Sequence, residues 1–169
     1  FLWIELGLQT IHENTARYIR RGYPLSCFEQ ACADLKALQI PFIVHTILGL
    51  PGETNIQLLQ TMDYLNRIQP FGIKLQLLHV LKDTDLADDY LAGKFEALTF
   101  DAYIDLVISC LAHLSPDIVI HRVTGDGPKN LLIAPTWSMD KRSVLNELHH
   151  RMKKQGIRQG DLFQKDNYS

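Results

Sequence analysis

Gly49-Leu50-Pro51-Gly52-Glu53 follows directly on the apolar run Phe42 to Leu48. Its glycines let the backbone turn sharply and approach a flat ligand, and the helix beginning after it offers N-terminal amides to an anion. A plain strand-to-helix turn uses the same residues, and the missing Lys-Ser/Thr rules out a Walker A loop. His45, between Val44 and Thr46, is either a ligand-facing imidazole or a buried ring satisfied by neighbouring backbone. Arg21 follows Arg20 at the predicted end of a helix. A cation there suits the helix dipole, and a guanidinium fork also suits a carboxylate. Gln9 and Thr10 end the first apolar run, Lys82 to Thr84 the third, and His121 to Thr124 the fourth. The three cysteines, Cys27, Cys32 and Cys110, are odd in number and lie in apolar helical patterns. They read as buried cytosolic thiols rather than a disulfide framework or a metal site.

Ligands of parallel α/β sheets and barrels collect at the carboxyl ends of the strands, so the runs preceding these residues must be strands. Leu2 to Leu8 reads as a buried strand, and Asn14 to Arg21 as a helix with Gly22 as its C-cap. A second helix starts at Ser26, where Ser26 and Glu29 form a capping-box pattern, and ends near Leu38. After the strand Phe42 to Leu48 a helix starts at about Thr54. Ile73 to Val80 reads as a third strand and Thr84 to Leu91 as an acidic helix. Thr99 caps a helix with Phe100, Tyr103, Ile104, Val107, Ile108 and Leu111 on one face. Asp117 to Ile120 gives a fourth strand, Leu131 to Ala134 a fifth, and Asp140 caps a last helix to about Lys154. The first three strands are largely apolar and separated by helices, as in parallel strands covered on both faces.

The chain has 169 residues, 46% hydrophobic and 21% charged, with a formal net charge of -2. That composition fits a globular domain and excludes a disordered chain. No apolar run approaches the roughly 18 residues that cross a bilayer. From Lys141 onward there are seven Lys or Arg against three acidic residues. This basic tail reads as a solvated helix or, less simply, as an RNA-binding face without an aromatic stacking platform. The chain opens at Phe1 with no initiator Met or leader pattern, which suggests a polypeptide continuing upstream. Without upstream strands, Leu2 to Leu8 would be an apolar edge open to self-association.

Taken together, Glu5-Leu6-Gly7-Leu8-Gln9-Thr10, Ile19-Arg20-Arg21-Gly22-Tyr23 and Ile47-Leu48-Gly49-Leu50-Pro51-Gly52-Glu53 resemble radical S-adenosylmethionine (SAM) proteins. The similarity is to the branch of oxygen-independent coproporphyrinogen oxidase and the elongator catalytic subunit. Leu78-His79, His121 to Lys129 and Trp137 resemble its YhcC-type group. The resemblance implies an α/β fold: the C-terminal half of a partial (β/α)6 TIM-like barrel over 1–92, holding its fourth to sixth strands, plus a C-terminal α/β extension over 93–169. It also implies SAM and a [4Fe-4S] cluster as cofactors, with the CxxxCxxC cluster ligands absent from this chain, so that the chain alone is inactive and binds no cluster. Cys27-x4-Cys32 lacks that spacing.

Residue by residue, the resemblance puts Gln9 at the end of the fourth barrel strand, Arg21 at the SAM carboxylate, His45 near the ribose where relatives have Asp, and Ile47 and Gly49 against the adenine. Full-length activity would be generation of a 5′-deoxyadenosyl radical on an unknown substrate in the cytoplasm. His121, Arg122 and Lys129 are candidate substrate-binding residues if the segment 121–129 reaches the barrel mouth. The same segment also reads as a hairpin to Leu131 to Ala134, with Arg122 and Asp126 paired locally. A phosphate-binding barrel using Gly125-Asp126-Gly127 as an anion turn, or an RNA-binding module, are the other functional readings.

Overall fold

A computed structural model describes residues 2–125 and 127–164. Four parallel strands form the main sheet: β1 (Ile4–Gln9), β2 (Phe42–Leu48), β3 (Gly72–Leu77) and β5 (Val119–Arg122), in the spatial order β1-β2-β3-β5. Helices α1 (Glu13–Tyr18) and α2 (Leu25–Ala37) follow β1, and α3 (Asn55–Ile68) follows β2. After β3 come the two-residue strand β4 (Val80–Leu81), α4 (Asp85–Leu91) and α5 (Phe100–His113). β6 (Leu132–Ala134) pairs antiparallel with β4 as a separate ribbon, and a 3-10 turn over Thr136–Met139 leads to α6 (Lys141–Gln155). The sheet thus takes strands from both sides of residue 92. Among the described residues no helix is long and apolar enough to cross a membrane.

Side-chain alternation divides the sheet into two different faces. Leu8, Val44, Leu48, Ile73, Leu75 and Leu77 join Phe28, Met62, Leu65, Tyr103, Ile104 and Val107 in one buried core under the helices. The opposite face carries Glu5, Gly7, His45, Lys74, Gln76 and His121. The expectation of strands covered by helices on both faces is therefore corrected: the second face, where Ile43 and Ile47 are its apolar members in β2, carries polar groups and lines the concave side. In a flat sheet, β1 and β5 would lie roughly 14 Å apart. Yet the Trp3 and His121 rings, from just before β1 and within β5, have centroids 5.8 Å apart. The sheet curls into an arc, and Gly72 permits the closure, because a Cβ there would run into His121 and come 2.8 Å from Val119 O.

Several local expectations are also corrected. The helix after Gly22 has Pro24, not Ser26, as N-cap, and its first amide, Leu25 N–H, donates to Glu13 Oε1 at 2.6 Å. A carboxylate from the preceding helix replaces the local capping box. α1 ends at Tyr18, so its C-cap is Ile19 and not Gly22; Arg20 (φ 56°) is left-handed just past the helix end, and Gly22 (φ 85°) is left-handed two residues further on. The third run divides into β3 and β4. The fourth strand begins two residues later than expected because Asp117 and Ile118 belong to a turn: Ile118 N–H donates to Ser115 O, and buried Asn66 joins His113 O to Ser115 N–H. No hairpin joins β5 to β6, since β5 pairs with β3 and β6 with β4. The Thr99 and Asp140 caps are formed, accepting from Ala102 N–H and Ser143 N–H.

Candidate functional site

The concave face is built in layers by the parallel register. Glu5 lies opposite Ile43, which lies opposite Gly72; one step on, Gly7, His45 and Lys74 are aligned. Glu5 reaches into this second layer, where one carboxylate oxygen takes His45 Nε2 at 2.7 Å and Lys74 Nζ at 2.6 Å. The Lys74 and His45 side chains are 14% and 24% exposed. The hydrogen bond from Lys74, opposed by partial burial and aided by His45, lowers the Glu5 carboxyl to about 2. Glu5 is therefore a fixed anion across the neutral range, and its charge is matched by Lys74. His45 is satisfied by this side chain and not by backbone. Beneath the layer, the Trp3, His121 and Phe71 rings form the floor at the amino ends of the strands.

At the carboxyl end of β1 the chain is shaped by Gly7 and Gln9. Gln9 has φ 58°, and a register shift between Gly7 and Gln9 marks a bulge. This turns the Gln9 amide back over the strand: a Cβ on Gly7 would lie 2.6 Å from Gln9 Nε2 and 3.0 Å from the Tyr23 hydroxyl. The Tyr23 hydroxyl donates to Gly7 O. Arg21 reaches the same strand end. Its guanidinium donates to Thr10 O at 2.8 Å, Leu8 O at 3.2 Å, Tyr23 O at 2.9 Å and Glu13 Oε1 at 2.8 Å, with 1% of the side chain exposed. Four of its five N–H groups thus meet acceptors of the chain itself. The buried Thr10 hydroxyl donates to Glu53, whose carboxyl is pushed up chiefly by burial. The Gly-Leu-Pro-Gly-Glu loop is tied in this way to the end of β1. Gly49 (φ +82°) has Leu98 against it, and a Cβ would lie 2.7 Å from Leu98 Cδ1. Ile47 lies beside Gln76 on the concave face.

Gln9, His45 and Ile47 therefore share the concave face, while Arg21 and Gly49 shape the strand ends bordering it. Of the three candidate substrate residues, His121 and Arg122 both line an open cavity of about 490 Å3 beside α6, with Leu145, Leu148 and His149. The His121 ring also packs against Trp3 and Phe71 on the floor. Lys129 lies apart from them, exposed in the turn before β6. The loop that follows β5 does climb to the carboxyl end, where Gly125 and Gly127 both lie against the His79 ring. Asp126, the remaining residue of that turn, lies outside the described residues. Glu5 and Lys74 were missed as site residues. Their signal is the period-two placement of Glu5 with Gly7, His45 with Ile47 and Lys74 with Gln76 in otherwise apolar runs.

The expectation of three buried thiols is corrected at one position. Cys27 is exposed on α2, whereas burial pushes the Cys32 thiol up to about 11 and the Cys110 thiol up to about 12. Among the described residues no group of three or more His, Cys, Asp or Glu could hold a metal.

An arc of parallel strands, helices outside and polar groups inside, is the wall of a partial (β/α) barrel. The chain belongs to the radical SAM superfamily. Residues 1–65 match the Radical SAM superfamily and residues 70–154 the Radical SAM C-terminal domain. It is 39% identical to the uncharacterized protein YtqA of Bacillus subtilis, covering 98% of this chain and 51% of YtqA. To protein YhcC of Escherichia coli K12 it is 29% identical, covering 92% of this chain and 50% of YhcC. It thus spans about half the length of these relatives. The Elp3 structure from Methanocaldococcus infernus superposes with a TM-score of 0.81 at 18% identity, over 93% of this chain and 37% of that one, and shares the fold.

Proposed function

We propose that this chain forms the SAM-facing half of the barrel in a radical SAM enzyme, with the cluster-binding cysteines supplied by sequence outside it. The observation that carries this reading is the Glu5–His45–Lys74 layer, a polar site on the concave face of a sheet whose other face is core. Charges placed on an inner face cost free energy unless they are paired. This layer is paired yet still reachable from the concave side, as suits a ligand site. When bound against a reduced [4Fe-4S] cluster, SAM supplies a carbon radical able to take a hydrogen atom from a substrate. Gln9, His45 and Ile47 would border the adenosine of SAM, Gly49 would hold the adjoining loop close, and Arg21 would offer its remaining N–H toward the carboxylate. His121 would meet the substrate from the floor, with Arg122 and Lys129 acting from outside the lumen.

The first strand supports the same reading. β1 is an edge of the sheet, with Leu2 73%, Trp3 39% and Ile4 38% exposed, as suits a seam onto which further barrel strands hydrogen-bond. A phosphate-binding turn at Gly125 and Gly127 has less support, because His79 fills the space beside both glycines. RNA binding by α6 is weakened in the same way, since Arg151 is held by Asp101, Asp105 and Glu147.

The test is SAM binding to the cluster-loaded protein containing this chain. Gln9→Ala or His45→Ala should each weaken SAM about tenfold, the worth of one hydrogen bond of about 1.4 kcal/mol. Unaltered affinity in both variants would remove these residues from the SAM site.

A further inference from the structure

Two residues outside the proposed SAM contacts, Glu5 and Lys74, stand beside His45: one Glu5 carboxylate oxygen meets both the imidazole and the Lys74 ammonium. Glu5 is on β1, His45 on β2 and Lys74 on β3, so the register of three strands brings them together, and no local sequence motif does. An imidazole nitrogen 2.7 Å from a carboxylate oxygen is either its donor or part of a doubly protonated ring. Glu5 is also held by Lys74 at 2.6 Å, so the carboxylate is already a salt-bridged anion that accepts and cannot donate.

We infer that Glu5 and Lys74 are positioning residues that hold His45 as its Nε2–H tautomer, leaving Nδ1 as a lone-pair acceptor for an uncharged O–H or N–H donor of a lumen ligand. The charges of Glu5 and Lys74 cancel, so the layer has no net charge to recruit a carboxylate or phosphate. Lys74, the only cation on this stretch of the face among the described residues, is engaged by the carboxylate. An anionic ligand would have to displace Glu5. A neutral hydroxyl or amide meets a fixed acceptor at no such cost. The same tautomer control operates wherever a carboxylate orients an imidazole. Its chemistry suits two sources of donor, a ribose hydroxyl of the cofactor or a hydroxyl or N–H of the substrate.

This inference rests on the concave face being the ligand side, but its test does not depend on SAM binding or turnover. 15N-detected histidine spectra of the protein containing this chain report whether the His45 ring is neutral and which ring nitrogen carries the proton. His45 should show an unprotonated Nδ1 with a preference of at least about tenfold, as a charge-assisted hydrogen bond requires. In Glu5→Ala the preference should fall to within about threefold, and Glu5→Asp should recover part of it. A protonated Nδ1 in the unaltered chain, or an unchanged signal in Glu5→Ala, overturns the inference. The signal of the unaltered chain decides it even if a variant does not fold. Two probes then separate the ligand classes. Adding sulfate should leave His45 and Lys74 signals in place, and their displacement by sulfate would mark an anion site and overturn the inference. In the cluster-loaded protein, SAM moving the His45 signal identifies the ribose as the donor, and movement only on addition of a substrate identifies the substrate.

Discussion

Replacing Arg21 with Ala removes three hydrogen bonds to main-chain carbonyls at once, those of Leu8, Thr10 and Tyr23. The Arg21 side chain is 1% exposed and Leu8 and Thr10 are buried, so water reaches the abandoned carbonyls only through local rearrangement. A hydrogen bond from a charged donor is worth about 1.5–3 kcal/mol, but the three are neither independent nor fully lost once the strand end relaxes. A loss of about 3 kcal/mol is expected for Arg21→Ala. Arg21→Lys keeps the charge and loses the fork, and about 2 kcal/mol is expected. Urea unfolding of the chain without SAM measures both, and an unchanged m-value confirms that the native state has not opened. If Arg21→Ala costs under about 0.5 kcal/mol, the clamp has no structural role and Arg21 acts on a ligand alone.

Gly49→Ala should destabilise by about 2 kcal/mol or more, since the backbone has φ +82° and the new methyl meets Leu98; Leu98→Ala should relieve only the steric part. Tyr103→Phe leaves Val123 O, 2.7 Å from the buried hydroxyl, without its donor and should cost about 1–3 kcal/mol in urea unfolding. The Glu5 carboxyl, lowered from 4.5 to about 2, contributes stability that is present above about pH 4.5 and is lost as pH falls toward 2. Glu5→Gln should therefore flatten the acid limb of stability against pH, and an identical limb would show that the Lys74 and His45 contacts do not favour the anion.

The helix and strand alternation was legible because long apolar faces, such as that from Phe100 to Leu111, have one period and strong caps at Thr99 and Asp140. The family was legible from short motifs, chiefly Glu5 to Thr10 with the Gly49 to Glu53 loop. The wall of the site was only half legible. Gln9 and His45 end or interrupt apolar runs and draw attention, whereas Lys74 lies inside a run that reads as buried strand. Its role depends on a partner 69 residues away, paired through register. The Ser26 cap failed for a similar reason: Glu13 reaches Leu25 N–H from another helix, and no local pattern encodes that contact. The placement of His121 depended on where β5 begins, which Asn66 sets through a turn.

The β4–β6 ribbon hydrogen-bonds within itself and has its own small cluster of Val80, Ala87 and Ala134, with Tyr90 and Phe95 packed against it. A slip of one residue in β2 would turn His45 into the core and Val44 into the lumen. The ribbon's own register is not part of the pairing of β1, β2 and β3, which hydrogen-bond to one another and not to it. The ribbon is in this sense a graft on a fixed chassis: its loops border the carboxyl end of the barrel, yet they can be rebuilt by mutation while the layer of Glu5, His45 and Lys74 keeps its alignment.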